Sequence, residues 1–121
     1  MDIEKIKLAM RAVNIDFDEM TSRFMDSEEM FLRYFGKFFT AAEPVVAELG
    51  EAVERSDWKL IEERAHALKS LSGNIGLNGV FVPSKKLVDD MRDNIHDAYQ
   101  ADYNKLKESY ESAKAVAELL D

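Results

Sequence analysis

The chain has 121 residues, 46% of them hydrophobic, enough for one buried core and too apolar for disorder. Its formal charge of −8, from 16 basic and 24 acidic residues without a basic stripe, argues against nucleic acid or an anionic membrane as partner. The lack of cysteine excludes a disulfide framework, thiol catalysis and a zinc–thiolate site. No stretch approaches the roughly 18 apolar residues of a membrane span. The opening Met1-Asp2-Ile3-Glu4 shows no basic region followed by an apolar one, so no signal peptide is expected. A cytoplasmic monomer of one domain fits this composition, as does a soluble domain cut from a membrane receptor.

Ile3, Ile6, Met10 and Val13 recur at helical spacing and predict a first amphipathic helix from about Asp2 to Val13, ended by Asn14. A short helix from about Asp18 to Phe24 follows, with Met20 and Phe24 on one face. Asp26 and Glu29 then read as a capping box. The helix it opens carries Phe31, Phe35, Phe38, Ala42, Val45, Leu49 and Ala52 on one stripe, broadened by Leu32, Phe39, Val46 and Val53. The phase passes through Pro44 without slipping. One kinked helix from Ser27 to Arg55 is therefore expected, with the Thr40 carbonyl losing its partner.

Ser56 is expected to cap the next helix, residues 57–76, which carries a histidine. Trp58, Ile61, Ala65, Leu68, Ser72 and Ile75 form its seam, at alternating intervals of three and four. With Trp58 at heptad position a, His66 falls at b and points to solvent. Lys69 stands one turn on, able to share an anion with it. Lys59 and Gly73 hold the other b positions, Glu62 the e position below Lys69, and Ser70 the f position beside His66. Gly73, costly inside a helix, suggests a bare patch that something approaches closely.

Gly76 ends or bends that helix, and residues 77–82 give no clear phase. Pro83 fits the first turn of a further helix that would place Leu87, Met91 and Ile95 inward. Asp97 with Gln100 suggests another capping box. Tyr99, Tyr103, Leu106, Tyr110, Ala113, Ala117 and Leu120 then mark the last helix. The expected fold is all-α: an up-down antiparallel four-helix bundle over residues 26–121, with short helices of residues 1–25 capping one end.

The run His66-Ala67-Leu68-Lys69-Ser70-Leu71-Ser72-Gly73-Asn74-Ile75-Gly76 resembles the signature of histidine-containing phosphotransfer (HPt) domains. His66, Leu68, Lys69, Ser72 and Gly76 match that pattern, and Asp57-Trp58 and Leu87 lie where the family has similar residues. The chain departs from it at Ser70 (glycine in the family), Pro83 (leucine-like) and Val88 (commonly glutamate). The resemblance implies phosphorylation of His66 on Nε2 by a phospho-aspartate of a response-regulator receiver domain. The phosphoryl group would pass on to another receiver, with a hybrid sensor histidine kinase as a possible source. Lys69 would offset the phosphoryl charge, and Lys59, Glu62, Ser70 and Gly73 would meet the partner. No cofactor of the chain's own is implied; Mg²⁺ would come with the receiver. A neutral imidazole has the lone pair this chemistry needs, and imidazole ordinarily titrates near 6.5.

Other readings stand beside it. Glu63-Arg64-Ala65-His66 is a Glu-x-x-His element of the type found in di-iron bundles, but the heptad phase turns both side chains outward. His96, beside Asp97, reads as a solvated or capping residue, and Lys85-Lys86 as a solvated pair able to meet an acidic partner. No glycine-rich nucleotide loop or Walker lysine offers a use for ATP, so a carrier is expected in place of a kinase. A catalytically silent receiver-docking domain, or a purely structural bundle, is the alternative. The Ser70 hydroxyl is expected to fold back on the His66 carbonyl.

Overall fold

A computed structural model describes residues 2–120. Among them the chain forms α1 (Ile3–Ala12), α2 (Phe17–Ser22), α3 (Glu28–Arg55), α4 (Trp58–Ile75), α5 (Asn78–Arg92) and α6 (Tyr99–Ala117). α3 packs on α4, α4 on α5 and α5 on α6, while α6 closes back on α3. This is the expected all-α up-down bundle. α1 rests on α6, and α2 bridges α1 to α3. Both short helices sit at the end where α3 begins and α4 turns into α5. There Phe17 meets Phe31 edge-on at 5.4 Å, and the Arg23 side chain covers Gly76.

One device ends most of the helices. Asn14, Ser56, Gly76 and Asn94 all take positive φ, between 53° and 76°. In each case the next residue's N–H reaches back to a carbonyl in the helix's last turn. Asp57 bonds Ala52, Leu77 bonds Ser72, Ile15 bonds Met10 and Ile95 bonds Asp90, at 2.8–3.0 Å. These are Schellman closures, which satisfy carbonyls the helix leaves open and reverse the chain in few residues.

Left-handed residues displace two of the expected caps. Ser56 is spent in the left-handed position that ends α3, so Asp57 caps α4, its carboxylate accepting from the Leu60 N–H at 3.2 Å. Asp26 is likewise left-handed, with φ 60°, and Ser27 caps α3 by accepting from Met30 at 3.1 Å. The Asp97–Gln100 box does not form; Ala98 occupies the N-cap of α6 without a side-chain bond. α2 starts slightly earlier than expected, behind an Asp16 cap.

α3 runs unbroken through Pro44, as its phase required. Its Phe31, Phe35, Phe38 and Phe39 side chains are buried, and the ring series continues to Tyr110 of α6. Aromatic pairs at these separations favour tilted and edge-on geometry. Pro83 is a second correction: it lies well inside α5, which begins five residues earlier at Asn78. Its missing N–H leaves the Gly79 carbonyl without its helical donor, and Gly79 is exposed to water at the helix start. Leu87 and Met91 are buried as expected, whereas Ile95 lies past the end of α5 and is exposed.

Two polar ties, each with one buried partner, link α6 to its neighbours. Asp102 is buried and takes the Lys86 ammonium at 2.9 Å. The Tyr110 hydroxyl, on a ring 1% exposed, donates to Glu43 of α3, and Lys114 reaches the same carboxylate at 3.1 Å. The hydroxyl and then Lys114 hold the Glu43 carboxyl below its ordinary range. A depressed carboxyl contributes stability above its unfolded pKa, about 4.3, and loses it as pH falls through the folded value. Tyr110→Phe should therefore cost about 1–2 kcal/mol at neutral pH, and should flatten the fall in stability below about pH 4.5. Urea unfolding from pH 3 to 7 measures both.

Candidate functional site

Ile61, Ala65, Leu68, Ser72 and Ile75 of α4 are all buried, and this seam fixes the rotation of the helix. His66 is consequently exposed in the middle of the helix, and it makes no side-chain hydrogen bond among the described residues. Lys69, one turn on, is half-buried; Lys59 and Ser70 are exposed. The serine that folds back is Ser72, whose Oγ donates to the Leu68 carbonyl at 2.6 Å. That bond satisfies a polar atom inside the seam. Ser70 makes no such bond to His66. Glu63 is exposed beside His66, so the Glu-x-x-His element faces water.

α5 supplies the other wall. Gly73 faces the Phe81 ring so closely that a Cβ on it would lie 3.2 Å from two ring carbons. Eleven residues back along α4, Glu62 takes the Arg92 guanidinium at 3.2 Å. Both pairs fit one antiparallel register, in which each step back on α4 is a step forward on α5. Lys69 then stands level with Lys85, and His66 level with Val88, which is fully buried. The position where the resemblance expects a glutamate is thus apolar, and α5 offers the imidazole no acceptor there.

Two expected docking residues change character. Gly73 is not a bare patch: it is half-buried, and Phe81 fills the space a side chain would occupy. The Glu62 carboxylate is half-buried and already paired with Arg92. The Lys85-Lys86 pair also divides. Lys86 turns to α6, between Asp90 and Asp102, each at 2.9 Å. Lys85 stays on the α4 side, 2.8 Å from Asp89. The Asp89 carboxyl is held below its ordinary range, first by Lys85 and then by the charges of Lys69 and Arg92. Phe81, Lys85, Asp89 and Arg92 were invisible as a group in the sequence. Their stripe depends on where α5 begins, and residues 77–82 show no phase of their own.

His96 is half-buried and does not cap α6. Its ring lies flat on Trp58, with centroids 3.9 Å apart and planes 8° apart, and its Nε2 is buried without a partner. Tyr99 closes the Trp58 edge at 5.0 Å, at the end of the bundle opposite the N-terminal helices. The His96 Nε2 is thus closed to an external electrophile, whereas the His66 side chain is exposed.

The architecture is that of a histidine-bearing helical bundle. The Hpt domain family model matches residues 33–116, more than half of the chain, and the chain belongs to that family, whose members carry phosphoryl groups in phosphorelays. No curated protein and no solved structure matches the chain significantly. The matched segment holds nearly all of α3 to α6 and leaves α1 and α2 outside.

The Gly73–Phe81 contact carries its own test. Alanine favours a helix over glycine by about 1 kcal/mol, but here its methyl meets the ring. Gly73→Ala should gain little or lose stability with Phe81 present, and gain about 1 kcal/mol in a Phe81→Ala background. Thermal unfolding of the four chains in that cycle measures the coupling; additive effects would mean the ring simply moves aside.

Proposed function

We propose that this chain is a phosphorelay carrier that accepts a phosphoryl group on His66 from one receiver domain and delivers it to another. The observation that carries the reading is a solvent-facing histidine at the centre of a rigid helix, with Lys69 one turn away, in a chain of the Hpt domain family.

The chemistry needs little from the chain itself. The lone pair of neutral His66 at Nε2 attacks the phosphorus of an aspartyl phosphate. The N–P bond forms as the P–O bond to the aspartate breaks, and the carboxylate leaves with the electron pair. Delivery runs in reverse: the second receiver's aspartate attacks phosphorus, and the electron pair of the P–N bond returns to the ring. Lys69 offsets the negative charge the phosphoryl group brings. Lys59 and Ser70 remain open on the same face for contact with the partner.

Magnesium belongs to the receiver's side of this complex. The groups nearest His66 include the cation Lys69, which suits an anion. The receiver and its metal ion supply most of the transition-state stabilisation for the in-line transfer. A hybrid sensor histidine kinase is the source of the phosphorylated receiver in this reading.

Incubation with a phosphorylated receiver should give acid-labile, base-stable phosphate on the chain. His66→Gln should abolish it and leave the helical signal and melting temperature nearly unchanged, because an exposed position adds little to stability. His96→Gln should still be labelled. ATP and Mg²⁺ alone should give no labelling. A chain that binds the phosphorylated receiver without becoming labelled is a silent docking domain, and the carrier reading is then wrong.

A further inference from the structure

We propose that Lys85 is a second cation for the phosphoryl group on His66, held by Asp89 in the free chain and released to the phosphohistidine when it forms. The inference rests on the reading of His66 as the phosphorylated residue. It extends that site onto a second helix, at a position the α4 motif does not include.

The placement comes from the register. Gly73 against Phe81 and Glu62 against Arg92 set Lys85 at the height of Lys69. From there the Lys85 side chain runs along α5 toward Asp89, four residues on, and its Nζ lies 2.8 Å from Oδ2. That direction carries the ammonium from the level of Lys69 toward the level of Ala65, and His66 lies between the two. Helix axes in contact are about 8–10 Å apart, a gap that a lysine stem spans. By this register Lys69 and Lys85 stand near the height of His66 on neighbouring helices, with Val88 buried in the core at the same level.

The charges around His66 single out Lys85 as the cation that can move. Within two turns of His66, α4 carries Lys59, Glu62, Glu63 and Lys69, and the register brings Lys85, Asp89 and Arg92 of α5 to the same stretch. Arg92 is engaged by Glu62, and Lys86 is turned away to Asp90 and the buried Asp102. The Lys85–Asp89 pair is open to water, with side chains 53% and 47% exposed. Exposed pairs four apart on a helix are weak and exchange readily. A phosphoryl group brings nearly two negative charges and three acceptor oxygens, and it outcompetes a single carboxylate for an ammonium within reach. Asp89 is not stranded by the exchange, because Lys69 and Arg92 also act on it.

The test uses phosphoramidate as a chemical donor to load His66, with no receiver present. ³¹P NMR then follows the second ionisation of the phosphoryl group against pH. Lys85→Met should raise that midpoint by about 0.3–0.5 pH unit, the scale of an exposed ion pair. Lys85→Arg should restore the wild-type midpoint, and Lys105→Met, on α6, should leave it unmoved. In the wild-type chain the Asp89 carboxyl, followed by ¹³C NMR, should titrate at higher pH once His66 is phosphorylated, having lost its nearest cation. Equal midpoints for wild type and Lys85→Met overturn the inference while leaving the carrier intact. An Asp89 titration unchanged by phosphorylation overturns the release. If phosphoramidate loads no phosphate onto His66 in the wild-type chain, the carrier reading fails and takes this one with it.

Discussion

Everything at the candidate site depends on how α5 is set against α4, and one residue fixes that. Gly76 turns the chain at φ 76°, and Leu77 closes the turn on the Ser72 carbonyl, so α5 begins directly at Asn78. A side chain at this φ is strained in any case. Here a Cβ would also meet Arg23 Nε at 2.5 Å, because α2 lies over the turn. With so short a connection, α5 has no freedom to slide, and the height of each of its side chains against α4 follows. Phe81 seals Gly73, Arg92 meets Glu62, and Val88 comes level with His66. The N-terminal helices, outside the matched family region, contribute to the site only through this end of the bundle.

The bundle and its histidine were legible in the sequence because both rest on periodicity. The stripe of α3 keeps its phase through Pro44, and the α4 seam places His66 outside by rotation alone. The caps were less legible. Ser56 and Asp57 are both good cap residues, and sequence preference alone puts the serine first. The Schellman closure of α3 uses the residue after the helix, however, so the serine is consumed and the aspartate takes the cap. The α3 cap moved from Asp26 to Ser27 for a different reason: Met25 and Asp26 are the two left-handed residues of a turn that the Ser27 N–H closes on the Phe24 carbonyl. The start of α4 is thus decided by how α3 stops, and the start of α3 by the turn before it, neither of which a cap preference read one helix at a time weighs.

The α4–α5 face was harder still, because it joins residues from two helices. A proline inside α5 drew the expected start forward to Pro83, although the exposed first turn tolerates its missing N–H. With the start displaced, Phe81, Lys85, Asp89 and Arg92 had no common face. Gly73 then looked like an opening toward a partner, when it is a seat for an aromatic ring. His96 misled in the same way: its apolar partner Trp58 lies at the far end of another helix, and proximity of that sort leaves no mark on local spacing.

The distribution of strong interactions separates what holds the fold from what the site can change. The ties with a buried partner, Tyr110 on Glu43 and Lys86 on Asp102, both run to α6, away from His66. Around His66 the charges are exposed or half-buried on the surface and their pairs are weak, so they can be rearranged without disturbing the core. Two conditions that usually conflict are thereby met together. The imidazole is presented on a backbone that the buried seam keeps rigid. The charges that must adapt when a phosphoryl group arrives or leaves sit on long side chains above that backbone. A carrier that meets different partners in succession needs its nucleophile fixed and its electrostatics adjustable, and the α4–α5 face divides those tasks between main chain and side chain.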